Sequence, residues 1–200
     1  EATGEARFST LAKDIIEVFK ARFFDVETQT LAEFFTEDLA RAPGDDGRIV
    51  EPGHQFEWAW ILNSCRKLLG VQLAPQIRAL ASFAETHGVD RTTKITFNSV
   101  RDDGAPIDRA SRTWPNTERI KAAIALHELD GIDPSPVIAS SAALLFDRYL
   151  SDAIEVGRTP RPQPHSEARD GEEPVRGQHV VLDDRRPTPG GVLPARHRDQ

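Results

Sequence analysis

Glu51-Pro-Gly-His-Gln-Phe-Glu-Trp-Ala-Trp60 is the stretch that decides the fold, because it opens an apolar helix with chemistry in its first turn. Pro52 and Gly53 interrupt the chain just before a helical pattern begins, so His54 is expected within the first turn. Residues three and four apart share a helix face, which puts His54, Glu57, Trp58 and Ile61 on or beside one stripe. An imidazole, a carboxylate and an indole along one stripe form a polar wall able to stack on a sugar ring.

The helix predicted over 53–69 is apolar on several sides, which marks it as buried, and it stops at Gly70. Before it, residues 5–23 place Phe8, Leu11, Ile15, Ile16, Val18, Phe19 and Phe23 near helical spacing among charged residues, predicting an amphipathic helix. Residues 24–50 read as a connector with a short extended piece at 30–35. After it, a third helix is predicted over 72–87, closed by Gly88 as a C-terminal signal. Residues 95–100 alternate as a strand and run into the turn 102–106. Thr113 is a candidate cap for a fourth helix ending near Leu129, and a fifth is predicted over about 134–152. This rhythm predicts an all-α architecture of stacked helical hairpins, with functional loops gathered at one end.

The last quarter differs in kind. No Phe, Tyr or Trp follows Tyr149, and seven of the fourteen prolines lie between 160 and 194. Such a segment cannot bury enough apolar surface to offset an ordering cost of roughly 1–2 kcal/mol per residue, so disorder is predicted from about 157 onward. The expected division is a helical domain over 1–155 and a Pro/Arg-rich tail over 156–200.

The net charge of -7 argues against a nucleic-acid or anionic-membrane partner. A single cysteine, Cys65, rules out an internal disulfide framework and suits a reducing cytoplasm. No apolar run reaches the roughly 18–20 residues that span a bilayer. The chain contains no methionine, not even an initiator, and is expected to be a piece of a longer reading frame.

A second constellation echoes the first. In Arg112-Thr-Trp-Pro-Asn-Thr-Glu118, Trp114 and Glu118 are four apart, so an indole and a carboxylate again share the opening of a helix. The two stretches, in this order, resemble the N-acylglucosamine 2-epimerase family, and within it the bacterial mannose isomerase branch. The loops Phe23 to Phe35 and Asp102 to Asp108 are similar to that branch as well.

The resemblance covers about residues 1–150 and implies the C-terminal part of an (α/α)6 barrel with its cleft at one end. It implies isomerisation of a mannose-like aldose to a ketose through an enediol(ate), or N-acylglucosamine-type epimerisation at C2, by histidine acid–base chemistry. His54 then matches an acid/base histidine and Glu57 its supporting carboxylate. Trp114 and Glu118 match sugar-contacting positions. No cofactor or metal is implied, the partner is a small-molecule sugar, and a homodimer is compatible.

The second acid/base histidine that the resemblance implies, in a Tyr-His setting, has no match between Ser151 and Gln200. A catalytically inactive helical piece or a sugar-binding module is therefore the alternative. Glu57 with Glu118 could also serve as a glycosidase pair. An HxxE pair can hold a metal, but no second ligand cluster accompanies it. Trp58, Trp60 and Cys65 are expected in the core, and His127 on the surface. Glu51 and Arg112 are expected as site groups or a loop ion pair, and His87 as a charge at a helix C-terminus.

Overall fold

The computed structural model describes residues 4–150. The predicted tail lies outside the described residues. Helix α1, Ala6–Val18, passes into a π-helical turn at Phe19–Phe23. A two-residue hairpin follows, with β1 (Phe24–Asp25) antiparallel to β2 (Thr30–Leu31). After β3 (Ile49–Val50) come α2 (Pro52–Leu69) and α3 (Ala74–His87). Strands β4 (Ser99–Arg101) and β5 (Pro106–Asp108) join β3 in an antiparallel sheet of order β3-β4-β5. Helix α4, Thr113–Asp130, and α5, Ser135–Leu144, close the domain, the last running on as a π-helical stretch at Leu145–Leu150.

Helices α2 and α4 run side by side in one direction with a constant register. Arg112 Nη2 bonds Glu51 Oε2 at 2.8 Å where both begin, and Lys67 Nζ bonds Glu128 Oε1 at 2.8 Å where both end, each pair 61 residues apart. Gly53 against Trp114, and Trp60 under Lys121, keep the same offset. Gly70 and Gly131 end the two helices in the left-handed conformation, at φ 67° and 74°, as a C-terminal glycine does without penalty.

Helix α3 returns antiparallel. Its Arg78 pairs with Asp130 at the end of α4, while its Glu85 accepts a 2.8 Å bond from Arg119 Nε near the start. Arg119 is almost fully buried, so this pair fixes how the two helices lie against each other.

The main core lies among these elements, built from Ile16, Phe19, Phe56, Leu62, Leu73, Ile77 and Leu80 with smaller partners. Trp58 joins it, its ring stacked 4.8 Å from Phe19. A second cluster, Val50, Phe83, Ile95, Phe97 and Val100, seats the three-stranded sheet on α3. Along α1, Phe8, Leu11, Ile15 and Val18 stay exposed on one stripe.

Several local expectations change. The strand predicted over 95–100 forms a ladder only from Ser99. Upstream the backbone has other partners: Thr96 N–H donates to Asn116 Oδ1, and Phe97 N–H to the Gly88 carbonyl. Thr113 is not the cap of α4. Arg112 takes that extended position, and no side chain there caps the helix. Gly88 ends α3 without left-handed backbone. It is glycine because a β-carbon would come within 2.3 Å of the Pro52 ring. Trp60 is not in the core: it is 38% exposed, with Lys121 Nζ 4.8 Å above its ring. Cys65 is half-buried, and that burial raises its thiol pKa. Helices α1 and α5 both loosen into π turns before their predicted ends.

Candidate functional site

The site forms where α2 and α4 begin. Pro52 and Gly53 are the first two residues of α2, and His54 follows in the first turn. Gly53 is there because Trp114 needs the space: a β-carbon would lie 2.5 Å from the indole Cη2 and 3.0 Å from Pro115 Cβ. With that space open, Trp114 lies across the helix start. Its ring centroid is 5.0 Å from that of His54, at an interplanar angle of 37°.

A third element supplies the histidine's main partner. Buried Gln55 on α2 holds β2 like a strand neighbour, accepting Leu31 N–H at 2.9 Å and donating to the Leu31 carbonyl at 2.7 Å. Two residues on, at a bend just after β2, Glu33 reaches α2. Its Oε2 lies 2.7 Å from His54 Nδ1, and its Oε1 accepts the Glu51 backbone N–H at 3.0 Å. A carboxylate can only accept, so Nδ1 carries the proton and Nε2 is left to gain or lose one.

Glu51 stands 3.8 Å from the same Nδ1, and it is also ion-paired with Arg112. Arg112 in turn sits 5.4 Å over the Trp114 ring and donates to Asn98 Oδ1. The Glu51–Arg112 loop pair thus exists, and it lies beside His54.

The His54 pKa is raised above its usual 6.5, first by the Glu33 hydrogen bond and further by the charges of Glu33, Glu51 and Glu57, against desolvation. The folded state therefore holds the imidazole proton more tightly than the unfolded chain does. The pair's contribution to stability is complete below about pH 6.5 and is lost as pH rises through the raised folded value. Because the ring is 36% exposed, solvent screening keeps this contribution small. Urea melts at about pH 6 and about pH 9 are expected to show it as a fall at the higher pH that His54→Gln removes.

Of the residues singled out from sequence, His54 and Trp114 are brought together, at the same end of the two helices. The carboxylate hydrogen-bonded to His54 is Glu33 and not Glu57, which acts on the ring through its charge. The α2–α4 register sets Glu57 level with Glu118. Glu118 is 12% exposed, and Lys121 Nζ approaches its Oε2 at 2.6 Å from the side. That oxygen has no aligned hydrogen-bond donor among the described residues. His127, exposed as expected, lies 3.0 Å through Nδ1 from the Ile132 carbonyl. Exposed His87 packs at the end of α3 against the Phe83 ring. Among the described residues, no three His, Cys, Asp or Glu side chains form a metal-holding group. No helix among them is long and apolar enough to cross a membrane.

The described residues thus form helical hairpins in which an imidazole, carboxylates and an indole meet at one end of two parallel helices. Residues 1–158 match the model of the N-acylglucosamine 2-epimerase (GlcNAc 2-epimerase) family, and the chain belongs to that family of sugar isomerases and epimerases. It is 36% identical over 155 residues to a mannose-6-phosphate isomerase of Rhizobium meliloti (strain 1021), covering 76% of this chain and 40% of the relative.

Two solved structures share the fold. A D-mannose isomerase matches with TM-score 0.61 at 19% identity, over 72% of this chain and 40% of that one. A cellobiose 2-epimerase from Bacillus thermoamylovorans B4167 matches with TM-score 0.56 at 15% identity, over 72% and 38%. The described fold is thus part of an (α/α)6 barrel. The chain spans about 40% of the length of these relatives.

Proposed function

We propose that this chain carries part of the active site of an aldose–ketose isomerase for mannose-like sugars, with His54 as an acid–base group. The observation that carries this reading is the fixed imidazole. His54 is held at Nδ1 by Glu33, flanked by Trp114, and left with Nε2 as its exchangeable site. Opening the sugar ring exposes an aldehyde, which acidifies the proton on C2. Removing that proton forms an enediol(ate), and returning it at C1 gives the ketose. A histidine suits this because imidazole titrates close enough to neutrality to both take and give a proton, and here the Glu33 bond favours its protonated form.

Trp114 would stack on the apolar face of the sugar, while Glu57 and Glu118, level on neighbouring helices, would accept hydrogen bonds from its hydroxyls. The test is to join the chain to the rest of the barrel from a full-length relative, incubate it with mannose and detect fructose by a coupled assay, since the chain alone supplies only part of the site. Fructose is the expected result. A thermal shift with mannose but no product would replace this reading with that of a sugar-binding module.

A further inference from the structure

We infer that Glu33 is the positioning residue of His54: one carboxylate, delivered by the loop after β2, that fixes the imidazole and the first turn of α2 together. The inference rests on the acid–base reading of His54 proposed above.

Three observations carry it. Glu33 divides its two oxygens between two jobs, with Oε1 on the Glu51 N–H and Oε2 on His54 Nδ1. Helix α2 has no capping side chain at Glu51, so one of its free N-terminal donors is met from 18 residues away in sequence. Glu33 is also firmly held. Its side chain is only 13% exposed, its N–H donates to the Ile49 carbonyl, and Gln55 clamps the strand just before it. A carboxylate so fixed sets both the orientation and the tautomer of the ring it touches, which an exposed acid on a free loop could not do.

Other charges near His54 do not replace it. Glu51 is 3.8 Å from Nδ1 and engaged by Arg112, and Glu57, on the helix itself, contributes only through its field. The raised His54 pKa agrees with this, since the Glu33 bond is its largest cause.

Glu33→Gln separates position from structure. The amide oxygen can still accept the Glu51 N–H, which turns the amide nitrogen toward Nδ1. Nδ1 must then accept, so the neutral ring carries its proton on Nε2 and has no base there. Long-range proton–nitrogen spectra of the chain should show the neutral tautomer inverted and the His54 midpoint lowered, with circular dichroism unchanged. Where the wild-type chain converts mannose, kcat should fall by about 100-fold or more with KM changed only a few-fold. Glu33→Asp, which keeps the charge but shortens the reach, should recover part of the midpoint shift.

An unchanged His54 tautomer and midpoint in Glu33→Gln would overturn the inference. So would loss of the fold in that variant, which would make Glu33 a structural cap alone. An inverted tautomer in a chain whose wild type forms no fructose would uphold the clamp and count against the proposed function instead.

Discussion

If His54 is the proposed acid–base group, replacing it with alanine in a barrel completed to its relatives' length is expected to abolish conversion of mannose to fructose while leaving the fold in place. The ring is the group that would exchange the C2 proton, and general acid–base catalysis contributes about 10²- to 10⁴-fold. Its removal costs little structurally. His54 is only half-buried, its backbone N–H already bonds the Glu51 carbonyl, and alanine is the best helix former. The truncation leaves Glu33 its bond to the Glu51 N–H, which still ties the loop to the start of α2. The same substitution at the position of the Rhizobium meliloti relative that aligns with His54 gives an independent measurement. Near-native turnover there, with the melting temperature unchanged, would refute the assignment.

Two positions along the same helix, the opposite outcome is expected. Phe56 is 2% exposed and belongs to the core cluster that includes Phe19, Leu62 and Leu80. Phe56→Ala removes a ring from a close-packed interior and leaves a cavity that helices tied by several ion pairs cannot collapse to fill. The cost is about 3–5 kcal/mol. For a chain of this size that lowers the melting temperature by roughly 6–20 °C. Urea unfolding would read the same loss as a lower midpoint at an unchanged slope. A loss below about 1 kcal/mol would mean that Phe56 is not the interior face of α2. The contrast between neighbours follows from the helical period: Phe56 points into the core, while His54 and Glu57 occupy the flank that meets α4 and the loops.

That period is why so much was legible in the chain itself. Proline entries, glycine exits and apolar spacing depend on contacts within four residues, so they placed α2, α3 and α4 to within a residue or two. The breakdowns occur where distant groups win over local preference. Ile95 to Val100 alternate like a strand, yet Asn116 and Gly88 take the backbone groups before a ladder can start. Gly88 reads as a helix stop, yet the position is set by Pro52 from another helix. Trp60 reads as core, yet it lies at the α2–α4 seam under Lys121.

The sequence alone singled out the two helix starts as candidates for the site, because His54 with Glu57 and Trp114 with Glu118 are local constellations on helix first turns. Only the tertiary structure decided which groups meet. Glu33 lies 21 residues before His54 on a loop without helical period, and its signal in the chain was only a place in a short extended piece. What brings it to the imidazole is Gln55 binding β2, while the open space at Gly53 admits Trp114 to the other side of the site. Those contacts depend on side-chain reach and on space between packed elements, and neither is encoded in the spacing of residues along one helix.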